Sequence, residues 1–358
     1  VIGSLDAESG PCQPTANTDV SSTLKDWVKY TNAHGGISGH PVKVDALDDA
    51  CNPGTGLTNA HTLINDHVLA ILDNDVADAA WFPAVLAAKI PIICGTQNAN
   101  GFTCSSTPTA FPSGGTVLPE LYGDFAAAKA AGAKSVAEVY CTESPQCKQS
   151  LPVYAGFTKA LGLKNLTPLA ASESAPSYTA QCVSMQQAGA QAVFPAGPPS
   201  VKLAGDCAQQ GFKPTYIEAS GTWENSFLTD SNLQNAVGSV CEVPWTVTNT
   251  PATEAFRAAT GNLISTSFSP YNVITAWSSA QLFAVAAAKL GSAASPTGVL
   301  NALDSIKGET LGGFSPPLTF TAGKAHTVPY YYEMSIKGGK WVSPNGGAPV
   351  KVALFTSS

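Results

Sequence analysis

Three glycines within five residues, Gly35, Gly36 and Gly39, separate a helical pattern from a strand pattern. Before them, Leu24, Trp27, Val28 and Tyr30-Thr31 recur at the spacing of one helix face. After them, Val42, Val44 and Ala46 alternate with Lys43 and Asp45, as in a half-buried strand. Glycine supplies the positive φ that a helix C-cap and a tight reversal need, where a Cβ would clash. The chain must therefore stop a helix, turn at once and enter a strand. That strand runs into an acidic loop, Asp48-Asp49-Ala50-Cys51-Asn52-Pro53.

The alternation continues along the chain. Strands are expected at 1–5, 42–47, 68–73 and 90–94, with helices at 19–34, 55–67 and 77–88. A second series follows: helix 117–131, strand 135–140, helix 148–161, strand 166–171, helix 178–188, strand 191–195, helix 199–210 and strand 214–218. Strand–helix alternation predicts parallel sheets covered on both faces. Two successive series predict an α/β protein of two doubly wound lobes rather than one large sheet. In the last third, Ser269-Pro270 and Ser295-Pro296 each read as an N-cap followed by a first-turn proline. The tail from Leu318 to Phe355 is β-like, with a Gly338-Gly339 turn.

Composition excludes several classes. The 358 residues carry a formal charge of −7, and the 18 Lys and Arg form no run, which argues against a nucleic-acid partner. No apolar stretch reaches the ~20 residues of a membrane helix. The nearest, Ala276 to Leu290, is interrupted by Ser278, Ser279 and Gln281. Nine cysteines show no C-x-x-C pair, which argues against zinc. Eight fit disulfides: Cys94 with Cys104 and Cys141 with Cys147 locally, Cys12 with Cys51 between the loops after the first two strands, and Cys182 with Cys207 between successive helices. Cys241 is left over; the alternative is nine free thiols in a reducing compartment. Oxidised cysteines without a basic, apolar leader suggest a mature exported chain whose signal peptide has been removed.

No nucleophile elbow, zinc-protease helix or phosphate-binding loop is present, and Gly54-Thr55-Gly56 lacks the third glycine of a dinucleotide fingerprint. His61 and His67 are six apart, not the four that align ligands on a helix. Neither a cofactor nor a metal is expected.

The stretch Asn32-Ala33-His34-Gly35-Gly36-Ile37-Ser38-Gly39-His40-Pro41-Val42, followed by Asp48-Asp49 and Pro53, resembles the first βαβ unit of the type I periplasmic binding proteins, in the branch that binds branched-chain amino acids. The family's pattern there is N-x-x-G-G-I-x-G-x-x-V, then D-D-x-x-x-P. The resemblance extends over the chain in order and length and implies the type I fold, with lobe 1 from 1–116 and 250–315 and lobe 2 from 117–249 and 316–358. Its three hinge crossings would fall near Ser113–Val117, Thr246–Thr250 and Leu311–Leu318, each rich in Gly, Pro, Ser or Thr.

Doubly wound folds take ligands beyond the carboxyl ends of their strands. Here those ends carry Asp6 and Glu8, Asp48 and Asp49, Asp73 and Asp75, and Thr96, Gln97 and Asn98; in the second series they carry Thr142 and Glu143, Pro198 and Pro199, then Ser220, Thr222 and Trp223. The resemblance implies that Asp75-Val76-Ala77 and Thr96-Gln97-Asn98 grip the ligand's head group, and that the loop from Ser9 to Asn17, with Thr15, is the first cleft loop. Pro145 and Pro198-Pro199 stand near the family's cleft tyrosines, and Ser220 near its carboxylate. An ionised Asp75 would repel a ligand carboxylate. Either it takes an ammonium contact, or the ligand is an amide, a cation or a neutral polar molecule. Trp223, Trp81 or Tyr271 could stack on it.

The resemblance implies a solute-binding protein of an ABC importer. It would capture a small polar solute such as an amino acid or amide between two lobes that close by hinge motion, then dock on a membrane permease. The protein would be a monomer, exported to the periplasm or cell surface, with a lipid anchor as an option of its leader. It would not be an enzyme. Two alternatives remain: a ligand-sensing ectodomain, and a secreted hydrolase using Asp73 and Asp75, which two-residue spacing would place on one strand face.

Overall fold

A computed structural model describes residues 1–10, 19–75, 78–95, 101–143, 145–291 and 294–355. In chain order the elements begin β1 (Ile2–Asp6), α1 (Val20–Ala33), β2 (Val44–Asp48), α2 (Pro53–Asn65), β3 (Ile71–Asn74), α3 (Phe82–Ala87), β4 (Ile92–Cys94), α4 (Gly101–Ser106), β5 (Ala110–Pro112) and α5 (Val117–Ala130). They continue β6 (Ser135–Cys141), α6 (Pro145–Gln149), α7 (Leu151–Leu161), β7 (Lys164–Asn165), β8 (Leu169–Ala171), α8 (Thr179–Gln187), β9 (Ala192–Ala196), α9 (Ser200–Gln209), β10 (Thr215–Glu218) and β11 (Val237–Val240). The last third holds α10 (Pro251–Thr260), α11 (Leu263–Thr266), α12 (Pro270–Ala287), α13 (Pro296–Asp304), β12 (Lys307–Glu309), β13 (Leu318–Thr319), β14 (Tyr330–Ile336) and β15 (Trp341–Val342).

The chain separates into two compact units. Unit 1 comprises Val1–Val117, Cys241–Tyr331 and Lys351–Ser358; unit 2 comprises Leu118–Val240 and Tyr332–Val350. The first passage lies between Val117 and Leu118. The second comes before Cys241 rather than near 250, because the segment after it is tied into unit 1: Gly115 N–H donates to the Cys241 carbonyl (2.8 Å) and Val243 N–H to the Phe314 carbonyl (3.3 Å). The third comes after Tyr331 rather than near 316. β13 pairs with β12, and Thr116 N–H donates to the Val328 carbonyl (3.1 Å), which keeps that stretch in unit 1.

Unit 1 is built on a parallel sheet of order β2-β1-β3-β4-β5, with Ile2 opposite Val44, Gly3 opposite Ile71, Ile71 opposite Ile92 and Ile92 opposite Ala110. Leu5, Leu63, Val68, Ile71, Trp81, Phe82 and Val85 pack into one core against α2 and α3. Helix α12 packs on β3, β4 and α1, and nearly every residue from Pro270 to Phe283 is buried. That burial explains its long apolar run. Its serines stay satisfied: Ser278 donates to the Ser113 carbonyl and Ser279 to the Ala276 carbonyl, each at 3.0 Å. Among the described residues no helix is long and apolar enough to cross a membrane.

The glycine stretch behaves as its residues require. Helix α1 ends at Ala33, Gly36 N–H returns to the Thr31 carbonyl (2.9 Å), and Ile37 and His40 exchange backbone bonds across Ser38 (φ 50°) and Gly39 (φ 83°). A Cβ on Gly36 would lie 2.1 Å from the His40 carbonyl oxygen, so no other residue fits there.

Unit 2 carries a mixed sheet of order β15-β14-β11-β10-β9-β6-β7, with β8 beside the far end of β6. Pairings from β11 to β7 are parallel, whereas β14 and β15 run antiparallel. Phe125, Tyr154 and Phe194 meet edge to face in its core at 5.2 and 5.3 Å between Phe194 and the other two rings.

Three expected elements are broken, each at a proline. The 77–88 helix becomes a 3₁₀ turn at Asp78–Ala80 and then α3, with Pro83 in its first turn. The 148–161 helix becomes α6 and α7, interrupted at Ser150 ahead of Pro152. The 166–171 strand becomes β7 and β8, separated around Pro168. Proline lacks the N–H that each ladder needs and its ring clashes with the preceding turn. β5, α4 and β11 have no counterpart among the expected elements. Ser295 caps α13 by accepting from Gly298 N–H (3.1 Å), but Ser269 makes no capping bond to α12.

Cys94–Cys104, Cys141–Cys147 and Cys182–Cys207 are disulfides, and Cys241 is a buried thiol. Cys51 is also oxidised, while Cys12 lies outside the described residues.

Candidate functional site

In unit 1 the strands deliver acids to one edge. Asp6 ends β1, Asp48 ends β2 with Asp49 next, and Asp73 lies in β3 with Asp75 just beyond. The outer acids build the loops. Asp48 accepts from Glu8 N–H (3.0 Å), the Ser9 hydroxyl (2.6 Å) and Ala50 N–H (2.9 Å). These donors outweigh its partial burial and hold its pKa below the ordinary value. Glu8 accepts from Ser21 N–H (2.6 Å), so it caps α1 from outside the helix, where Asp19 gives no side-chain cap. Burial raises the Glu8 pKa against that bond.

The inner acids are sealed. The Trp81 indole donates to Asp75 at 2.7 Å, and Asp75 N–H donates to Asp73 at 3.2 Å; Asp75 and Trp81 are both 0 % exposed. Burial, then Asp78 and Asp75, raise the Asp73 pKa well above the ordinary carboxyl value. Burial and then the Asp75 charge push Asp49 up to about 7, its other oxygen being held by Cys51 N–H (2.7 Å). Burial likewise raises Asp6, although Ser4 donates to it at 2.7 Å. Asp73 and Asp75 thus interact as their spacing suggests, but they face protein rather than solvent. Thr15, Val76, Thr96, Gln97 and Asn98 lie outside the described residues.

In unit 2 Glu143 is exposed and clamps the next loop. It accepts from the Ser172 hydroxyl (2.6 Å) and Glu173 N–H (2.9 Å), and these bonds hold its pKa below the ordinary value. The Tyr178 hydroxyl closes the same loop on the Glu173 carbonyl (2.8 Å). Cys141, Glu143 and Glu173 come within metal-ligand range of one another, but the Cys141 sulfur is bonded to Cys147 and the Glu143 oxygens already accept these donors. The set does not fit a cation.

Pro198 is buried. Ser220 is 1 % exposed and donates from both N–H (2.7 Å) and hydroxyl (2.9 Å) to Glu120. So a carboxylate does stand beside Ser220, supplied by α5 rather than by the β10 loop. Trp223 is packed edge to face against Trp341 (5.6 Å), with its indole N–H on the Ser239 carbonyl (3.2 Å). Trp81, Trp223 and Tyr271 are all buried, so none offers a solvent-facing ring for stacking.

Sequence reasoning passes over the unit 2 carboxyls. Asp124 accepts from the Ser239 hydroxyl (2.7 Å), and Glu218 from Thr222 (2.7 Å) and Ser200 (3.0 Å). Glu138 has no hydrogen-bond partner among the described residues. Burial raises all of them: Glu120 and Glu138 to about 7 and Glu218 to about 8, with Asp124 raised further by Glu120. One signal was available: Glu120 and Asp124 lie four apart on α5 among Val, Leu, Ala and Phe.

The comparisons agree with this architecture. The sequence profile of the family described as periplasmic binding protein matches residues 1–340. No curated protein matches. Among solved structures, a branched-chain amino-acid ABC transporter protein of Thermus thermophilus with bound valine is 15% identical, with a TM-score of 0.79 over 99% of this chain and 97% of that one. A leucine-binding protein of Thermotoga maritima is 13% identical, with a TM-score of 0.78 over 98% of each chain. A solute-binding protein of R. palustris in complex with 4-hydroxybenzoate is 16% identical, with a TM-score of 0.75 over 98% of this chain and 95% of that one. At such identities the likeness is one of fold. With strand-end loops built from polar side chains in each unit and a family match along nearly its whole length, the chain belongs to the periplasmic binding proteins and has their type I fold.

Proposed function

We propose that this chain is the exported solute-binding protein of an ABC importer. It captures a small polar solute by closing its two units on it, and it passes that solute to a membrane permease. It works as a monomer, without a cofactor and without making or breaking a bond. The family match across residues 1–340 carries this reading. The three disulfides support an oxidising compartment.

The solute class follows from charge. Glu8 and Asp48 in unit 1, and Glu143 and Glu173 in unit 2, place carboxylates at the strand ends where doubly wound folds take ligands. An anionic solute would meet like charge there. A solute that presents N–H donors, such as an amino acid or an amide, is favoured. The chain's single arginine, Arg257, donates to the Trp245 carbonyl, so a bidentate guanidinium grip on a diacid finds little support. Asp73 and Asp75 are buried, which argues against their use as a hydrolytic pair.

A thermal-shift panel of amino acids, amides, polyamines, organic acids and aromatic acids tests this. A solute at ~100 times its Kd should add about 2.7 kcal/mol, a rise of several degrees. Hits confined to diacids would overturn the solute class. Turnover of a simple ester or glycoside by the pure chain, with no solute raising the melting point, would overturn the transport reading.

A further inference from the structure

The two ends of the unit 2 sheet carry opposite charge. Glu143 and Glu173 stand just past the carboxyl ends of its parallel strands β6 and β8. The other end is lysine-rich. Lys134 precedes β6, and its carbonyl accepts from Lys164 N–H at the start of β7 (2.8 Å). Lys213 precedes β10, whose Thr215 lies opposite Ala192. β14 runs antiparallel to β11, with Ser335 opposite Val237, so the turn that follows it, with Lys337 and Lys340, returns to this same end. Lys159 joins them from the last turn of α7.

These six lysines are exposed, and none is ion-paired among the described residues, where the pairs are Lys43–Asp45 and Lys202–Asp206. Lys129, also at this end, donates to the Leu161 carbonyl (2.6 Å). Asp230 shares the end, and its carboxylate accepts from Asn232 N–H (2.7 Å). On a chain of net charge −7, a third of the 18 basic residues therefore stand on one end of one unit. Strands lie ~4.8 Å apart and rise ~3.3 Å per residue. The lysines from β7 to β14 thus spread over about 24 Å, and the acidic end lies about 20 Å behind them. That is two Debye lengths at ~0.1 M salt, so a surface touching this end feels the lysines and not the acids at the other end of the same sheet.

A cavity of ≈ 450 Å³ opens beside Lys164, lined by Leu166, Leu169 and Met185 together with Asn165, Thr167 and Ser184. A spread of single positive charges, next to a niche lined by both apolar and hydroxyl side chains, matches an array of phosphates on amphipathic molecules whose head groups carry hydroxyls. We infer that this end of unit 2 docks on an anionic phospholipid surface, and that a hydroxyl-bearing head group can enter the niche at Lys164. This does not depend on which solute the protein carries.

Co-sedimentation with vesicles tests it. At ~0.1 M salt the full chain should pellet with equimolar phosphatidylcholine–phosphatidylglycerol vesicles and not with phosphatidylcholine alone; ~1 M salt should release it. The variant Lys134→Gln, Lys164→Gln, Lys213→Gln, Lys337→Gln, Lys340→Gln should bind about tenfold or more weakly, with an unchanged melting point. The charge-matched unit 1 variant Lys25→Gln, Lys29→Gln, Lys89→Gln, Lys289→Gln, Lys324→Gln should bind as the parent does. Failure of the parent chain to pellet overturns the proposal, as does equal loss in both variants. Retention on a polyglutamate resin without vesicle binding would assign the face to an acidic protein and overturn the lipid assignment.

Discussion

In unit 1 the buried carboxyls of Asp49, Asp73 and Asp75 face one another, whereas in unit 2 those of Glu120, Asp124 and Glu218 face serine and threonine hydroxyls. Both arrangements leave the groups hungry for protons, by different routes. In unit 1 each neighbouring charge adds to the cost of burial. In unit 2 burial, helped by like charge from Glu120 at Asp124 and from Glu224 at Glu218, outweighs two hydrogen bonds from neutral donors at each carboxyl. Hydroxyls satisfy a carboxyl's geometry without supplying the charge that would keep it ionised.

The largest expected effect contrasts the two buried indoles. Trp81→Ala and Trp223→Ala should each cost about 3–5 kcal/mol in urea unfolding. Trp81→Ala should be the worse of the two, because it strips a donor from a buried carboxyl, whereas Trp223→Ala strips one from a backbone carbonyl. Equal costs would mean that the indole donor adds nothing measurable to the Asp75 site.

Next comes pH. The folded pKa values of Glu120 and Glu138 (about 7) and Glu218 (about 8) lie above their unfolded value of 4.5. The fold therefore favours their protonated forms. Their contribution is complete below the unfolded pKa and is lost as pH rises through the 7–8 window. The melting point should fall by several degrees between the unfolded value of 4.5 and that window, and level off above it. Glu138→Met, which removes an unpartnered carboxyl at similar volume, should stabilise unit 2 by about 1–3 kcal/mol above the window and by less in acid. A melting point that is flat with pH would show the carboxyls to be hydrated.

Smaller still, Ser220→Ala or Ser239→Ala should cost about 1–2 kcal/mol, since each removes one hydroxyl donor and leaves the backbone donor in place. The smallest contrast lies within unit 1. Ser295→Ala should cost about 1 kcal/mol and Ser269→Ala only a few tenths, because only Ser295 caps its helix.

Much of the fold was legible because the parallel strands are short apolar runs punctuated by glycine and polar loops. The turn at Gly35-Gly36 and the α12 start at Pro270 could be read from local residues. What failed was also local: Pro83, Pro152 and Pro168 broke elements that their apolar periodicity extended through. The passage points were less legible, since tertiary bonds such as Gly115 to Cys241 set them. Of the candidate site, the residue types at the strand ends were legible, but their engagements were not. Asp48 and Glu8 look like ligand acids in sequence and act as loop clamps in the structure. The acid beside Ser220 comes from a helix 100 residues earlier, which no local pattern announces.

The strand β14 has a consequence for biosynthesis. It alone covers the open edge of β11, yet it is made only after the chain has laid down Cys241–Tyr331 as part of the other unit. During synthesis or export, the edge from Val237 to Val240 therefore waits unpaired while unit 1 is completed. Unprotected strand edges recruit other chains. A chain stalled before Tyr332 should be the aggregating species, so a segment made after most of unit 1 protects the solubility of unit 2, the unit begun second.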